Sequence, residues 1–402
     1  MRQIFGYIGA ALALILVVII ALYYLSPKQT KALTFDRVDF AELPGWVDSQ
    51  DINGGFKAFL KTCDSLLKKA DGARLQGAQI GGTAADWKPV CNAANAINRL
   101  SMVEVRTFYE ANFKAFEVSL NGNHEGLFTG YFEPLLKGSF KKSDRFQHAI
   151  YSLPKDLVSV DLGRFRPDLK GERIAGKIQN NRLIPYEDRA AIDTGALEQK
   201  ADVLLWVDSP IDVFFLHIQG SGRVEMPDGT LQGVGYAGQN GHVYRAIGRD
   251  LIDMGEIERE NISMQSIRSW LEKNTDSAQA LMQKNRSYIF FRLLDGTDGP
   301  FGSAGVGLTA GHSLAIDLRH LPMHAPVWLS ASYPAANGNQ NVQMDRLMVA
   351  QDTGGAIRGE IRGDVFWGFG DEAAAIAGKM QNTGRYWILL PNLLADKLIA
   401  AK

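Results

Sequence analysis

Apolar and polar positions divide this chain before any motif is considered. From Ile4 to Leu25 no charged side chain occurs, a run of 22 residues. At about 1.5 Å rise per residue, that length covers the roughly 30 Å hydrocarbon core of a bilayer. Tyr23 and Tyr24 close the run, where interfacial aromatic residues collect. A cleavable export signal has a shorter apolar region and a small-x-small site. "LYYLSPKQT" offers no such site, and no cysteine follows it for lipid attachment. The pattern predicts a transmembrane anchor over 1–27, with cleavage as the alternative.

Beyond a linker, apolar residues recur at helical spacing from about Asp51 to Val118. Phe56, Phe59, Leu60, Cys63, Leu66 and Leu67 share one stripe, and Ser101 with Glu104 makes a capping box. The pattern changes at "GLFTGYFEPLLKGS", where aromatic residues, Gly130 and Pro134 predict strand and turn. Short strands and helices then alternate to about Asn285. "VFFLHIQGSGRVEMPDGT" reads as a strand, a glycine-rich bend and a turn at Asp228–Gly229. "QNGHVYRAIGRDLIDMG" reads as a helix ending at Gly255, and "MQSIRSWLEKN" as another. From Ser287 the reading is mostly β: "SYIFFRLL", "HSLAIDL", "APVWLSA", "RLMVAQD", "DVFWGF" and "RYWILLP", interrupted by one helix in "DEAAAIAGKMQN". Short runs with turns between them predict a small barrel rather than an open parallel sheet. The fold class is mainly β with a helical N-terminal segment, an α+β chain.

Composition alters this picture little. Apolar content of 46% and charged content of 22% are ordinary for a globular chain of 402 residues. A net charge of −1 provides no basic field for nucleic acid. Cys63 and Cys91 are the only cysteines. Two packed helices would bring them together as a bridge, and two buried thiols are the alternative.

Three motifs suggest chemistry that their context does not support. Asp-Thr-Gly, the aspartic-protease triplet, occurs at Asp193 and at Asp352. A protease needs both in matching strands so that the carboxylates share a proton. "RAAIDTGALEQK" instead reads as a helix start with Asp193 or Thr194 as its cap. "GVGYAG", Gly233 to Gly238, matches a dinucleotide fingerprint but follows a turn rather than a buried strand. His320 and His324 have helical spacing, yet Pro322 lies between them, so no metal site is expected. No cofactor is expected either.

The C-terminal aspartates are more informative. Asp317, Asp352 and Asp364 each stand at a strand end or turn. Acids gathered at one site repel, so one of them holds its proton towards neutral pH, as a general acid must. Arg358 and Arg362, if close, would oppose that.

Taken together, these stretches resemble the MltA family of membrane-bound lytic murein transglycosylases. The matching pieces are "TGYFEP", "VDSPIDVFFLHIQGSGRV", "YAGQNGHVYRAIG", "LTAGHSLAID", "AQDTGGAIRG" and "GDVFWGFGDEAAAIAGKMQNTGRYWILLP". The resemblance implies a double-psi β-barrel domain from 28–126 and 287–402, with an inserted β-rich domain over 127–286 and a groove between them. It implies non-hydrolytic cleavage of the β-1,4 bond between N-acetylmuramic acid and N-acetylglucosamine, giving 1,6-anhydro ends. Asp364 would be the acid and then the base, with Asp317 and Asp352 raising its pKa. Thr129, Gly130, Tyr131, Gln219, Ser221, Tyr236 and Trp367 would contact the glycan. The implied partner is peptidoglycan. The implied location is the inner membrane, single-pass, with the body in the periplasm, where a Cys63–Cys91 bridge persists. A hydrolytic muramidase with paired carboxylates and a non-catalytic peptidoglycan-binding protein are the alternatives.

Overall fold

The computed structural model describes residues 33–97, 101–169, 172–295, 300–337 and 340–400. The apolar run from Ile4 to Leu25 lies outside the described residues. Among those described, no helix is long and apolar enough to cross a membrane.

The chain begins with β1 (Leu33–Val38) and helices α1 (Ile52–Leu67), α2 (Ala84–Asn95) and α3 (Met102–Asn112). Strands β2 (Phe113–Leu120) and β3 (Gly126–Glu133) follow. The helical reading to Val118 therefore overran. Residues 115–120 pair with β1 and residues 113–117 with the last strand of the chain, and these bonds satisfy their backbone. α1 buries Phe56, Phe59, Cys63 and Leu66, as its stripe predicts. The capping box of Ser101 and Glu104 opens α3. Cys63 and Cys91 form a disulfide between α1 and α2.

The middle of the chain supplies β4 (Leu135–Ser139), β5 (His148–Tyr151), β6 (Val158–Asp161), β7 (Arg173–Gln179) and β8 (Arg182–Pro185). Helix α4 (Arg189–Asp193), β9 (Val203–Val207), α5 (Pro210–Gln219), β10 (Ser221–Glu225) and β11 (Leu231–Gln239) continue it. Then come α6 (Gly248–Asp253), α7 (Met264–Lys273), α8 (Thr275–Gln283) and β12 (Ile289–Leu294). Strands β12, β11, β10, β4, β9 and β5 form one sheet in that order, and β6, β7 and β8 a second, small one. Leu136, Ile150, Leu205, Val224 and Phe291 pack the larger sheet's core.

Several local readings change here. "VFFLHIQ" is helical, not extended. Ser209 caps α5, Pro210 opens it and Gly220, at a positive φ of 77°, ends it. Its all-round apolarity reflects burial, which periodicity alone does not separate from a strand. α6 starts only at Gly248. Asp188, not Asp193 or Thr194, caps α4 by accepting from Ala191 N. "GVGYAG" lies within β11, paired to β12, and not in a strand-to-helix turn.

The C-terminal part supplies β13 (Ser313–Ile316), β14 (Pro326–Pro334), β15 (Asn341–Asp352), β16 (Arg362–Phe369), helix α9 (Asp371–Ala377), β17 (Gln381–Pro391) and helix α10 (Asn392–Ala400). Strands β17, β14, β15, β13, β16 and β3 bond side by side, and β3 pairs back to β17. The result is a closed six-stranded barrel. The far half of β17 leaves the ring to pair with β2. Trp46, Phe56, Phe59, Tyr109, Trp328 and Tyr386 are all fully buried in the core joining barrel and helices. Pro134 alone separates β3 in the barrel from β4 in the six-stranded sheet.

Candidate functional site

Four adjacent strands, β15, β13, β16 and β3, place the candidate side chains by register. Ala315 pairs with Asp352 on one side and with Asp364 on the other, and Asp364 pairs with Thr129. Directly paired residues point to the same face of a sheet, so these four share one. Neighbouring strands lie about 4.8 Å apart, which sets the two aspartate backbones on the order of 10 Å apart. Ala315, small and buried, is the residue that stands between them in the register.

This alignment depends on an irregularity in β15. Leu314 pairs with Ala350, but Ala315 pairs with Asp352, so Gln351 is an extra residue. A one-residue slip sends a strand's side chains to the opposite face. The bulge turns Asp352 towards Asp364. Gln351 is fully buried and anchors the bulge, donating from Nε2 to Ala58 O (2.7 Å) and Thr62 Oγ1 (2.9 Å). Its Oε1 accepts from Ser313 Oγ at 2.6 Å.

The three aspartates differ sharply. Thr129 Oγ1 donates to Asp364 Oδ1 at 2.5 Å, and Arg362 Nη2 donates to Thr129 Oγ1 at 2.7 Å. The second carboxyl oxygen of Asp364 accepts no hydrogen bond from the described residues. Burial pushes the Asp364 pKa up to about 6, against the opposing charge of Arg362 and the Thr129 bond, while the charge of Asp352 adds to the rise. Arg362, and not Arg358, is the cation acting on it. Asp352 is fully engaged: Oδ1 accepts from Ser303 N and Oγ, each at 2.9 Å, and Oδ2 from Tyr131 Oη at 2.9 Å. Burial raises its pKa too.

Asp317 stands apart. Burial pushes its carboxyl upward, but bonds from the Arg319 side chain and from the N–H groups of Gly359 and Arg319 outweigh that and hold it at about 2. It is a pinned anion that ties the 353–361 loop to β13. Contrary to expectation, the rise at Asp364 comes from burial and from Asp352 and not from Asp317, whose carboxylate is paired with Arg319.

Gly130 makes room for an indole. A Cβ there would lie 2.7 Å from Trp367 Cδ1 and Nε1. Trp367 also packs on Tyr333, centroids 4.6 Å apart, so part of its surface is structural. Tyr131 is buried, with its ring on Phe366 and its hydroxyl on Asp352. Gln219, ending α5, accepts from Phe132 N at 3.1 Å and ties β3 to that helix. Ser221 is buried at the start of β10. Tyr236, on β11 of the six-stranded sheet, is 49% exposed. Sequence reasoning missed Ser303 and Ala315. Neither has a signal of its own, since each matters only through its neighbours across strands.

The chain matches the model of the MltA specific insert domain over residues 127–292 and that of the 3D domain over 312–390. It is 35% identical to membrane-bound lytic murein transglycosylase A of Escherichia coli (strain K12) over 265 residues. The match spans 65% of this chain and 65% of that relative's length. A crystal structure of membrane-bound lytic murein transglycosylase from Agrobacterium tumefaciens is similar with a TM-score of 0.79 and 34% identity, over 90% of this chain and 99% of that one. The structure of E. coli MltA with bound chitohexaose is similar with a TM-score of 0.64 and 28% identity, over 90% of this chain and 96% of that one.

Proposed function

The chain belongs to the MltA family, and from that premise we propose that it cleaves peptidoglycan glycan strands as a lytic transglycosylase. The bond cut is the β-1,4 linkage from N-acetylmuramic acid to N-acetylglucosamine, and the product ends in a 1,6-anhydro ring. The chitohexaose bound by a relative supports a β-1,4-linked amino-sugar chain as ligand. On this reading the closed six-stranded ring is a double-psi barrel.

The observation that carries the reading is the pairing of one half-free acid with one fully engaged acid. With its pKa at about 6, Asp364 retains a protonated fraction near neutral pH. That proton passes to the leaving glycosidic oxygen as its bond to C1 breaks. The sugar's own C6 hydroxyl attacks C1, and the Asp364 carboxylate takes its proton, which restores the acid. An internal nucleophile has a high effective concentration and needs no base to activate water. Hydrolytic glycosidases need a second free carboxylate for that task. Asp352 does not serve, because both of its oxygens already accept hydrogen bonds. Its charge helps hold the proton on Asp364. Thr129, under Arg362, fixes which oxygen of Asp364 faces the bond. Trp367, Gly130 and Gln219 line the sugar path on this reading, with Tyr236 and Ser221 further along it.

The test is digestion of purified sacculi with product masses read out. Anhydro ends, one water lighter than reducing ends, are expected. Asp364→Asn should reduce their release by roughly 10²–10⁴-fold, the usual contribution of a general acid. Reducing-end products, or release unchanged in the variant, would overturn the proposal.

A further inference from the structure

Away from the aspartate face, a cavity of about 230 Å³ lies between the end of α1 and the loop ahead of β13. Lys69, Arg74, Ala73, Leu75, Ser303 and His324 are among its lining residues. Lys69 and Arg74, which both line this cavity, make no ion pair among the described residues. His324 is only 3% exposed, and its Nδ1 is buried with no hydrogen-bond partner. Its backbone has φ +76°, a left-handed conformation rarely adopted by a residue with a side chain. Met323 N bonded to Gln76 O (2.8 Å) and His324 N to Ala350 O (2.7 Å) hold it there. Residues held in sparsely populated backbone conformations cluster at functional sites, and a buried polar atom without a partner calls for an explanation. Burial pushes the imidazole pKa down to about 4, with the charge of Lys69 adding, so the ring is neutral near pH 7.

The geometry points to a second binding site here, one that takes the terminal carboxylate of a short peptide with small side chains. Lys69 and Arg74 supply charge-assisted donors for the carboxylate. Ala73 and Leu75 supply apolar wall for a methyl, and the His324 ring, which lines the cavity, supplies a polar edge beside it. The volume is below the roughly 300–1,000 Å³ of drug-sized sites, which limits the occupant to a few residues. Two sources carry this chemistry: the peptides attached to peptidoglycan, and a protein C-terminus. Only the first source rests on the function proposed above; the site does not. Ser303 is the link to the aspartates, since it lines the cavity and donates twice to Asp352.

Isothermal titration of the full chain with alanyl-alanine, acetate and inorganic phosphate tests this. Saturable one-to-one binding of alanyl-alanine is expected, tighter than acetate or phosphate. The pair Lys69→Ala with Arg74→Ala should weaken it at least tenfold, and Asp364→Asn should leave it unchanged. His324→Gly suits the backbone and removes the ring, so binding should weaken without a fall in thermal midpoint. A preference for the D,D form supports the site with wall peptides as source, and for the L,L form supports it with a protein terminus. No saturable binding, tighter binding of phosphate, or binding that survives the double variant would overturn the site. The titration reads out whether or not sacculi are digested, so the two readings fail separately.

Discussion

Of the two carboxylates that flank Ala315, Asp364 has an oxygen left without a bond from the described residues and Asp352 has none. This difference predicts a pH profile. On the proposed mechanism the protonated Asp364 is the competent acid, so cleavage should decline as pH rises through about 6. The hydrogen bond from Thr129 and the charge of Arg362 both lower that pKa. Thr129→Val should therefore move the alkaline limb to higher pH, and Arg362→Gln likewise, while a purely structural role for either would leave the limb in place. Linkage gives a second sign. The folded pKa of Asp364 lies above its ordinary 3.8, so ionising it weakens the fold as pH rises from about 4 through 6. Asp364→Asn should raise the thermal midpoint at pH 8 and change it little at pH 4. Asp317 behaves oppositely, since its folded pKa of about 2 lies below its ordinary value. Its contribution is full above about pH 4 and fades as pH falls towards 2. Asp317→Asn should thus lower the midpoint at pH 7.

Elements decide what those residues meet. The C-terminal strands are legible because each is a short β-branched or aromatic run bounded by turns. "VFFLHIQ" was not, because a helix buried on every side has no polar face to betray its period. The pairing of Thr129 with Asp364 was not legible either, since the partners lie 235 residues apart. The bulge at Gln351 leaves no mark in a period-two pattern, yet it is what turns Asp352 to the aspartate face. Gln351→Leu would strand the polar groups of Thr62 and Ser313 in the core, at about 1–3 kcal/mol for each group left unsatisfied. Denaturant unfolding of that variant should show this loss. The disulfide between α1 and α2 closes a 28-residue separation. The loop-entropy relation assigns such a bridge about 3–4 kcal/mol. Cys63→Ser with Cys91→Ser should lose about that much stability, measured in the same way.

At the scale of the whole molecule, we expect residues 1–27 to anchor the chain with its body on the periplasmic side of the inner membrane. Fusing a phosphatase that is active only after export to the C-terminus checks this, and an inactive fusion would reverse the orientation. The barrel also has a consequence for assembly. Its ring joins β3, near the first third of the chain, to β16 and β17 near the end. Closing so long a loop is entropically slow, and it waits on synthesis of the last strands. A nascent or truncated chain therefore lacks the acid beside Thr129 altogether. On the proposed function, a chain without β16 and β17 would therefore be silent towards the wall around its own cell.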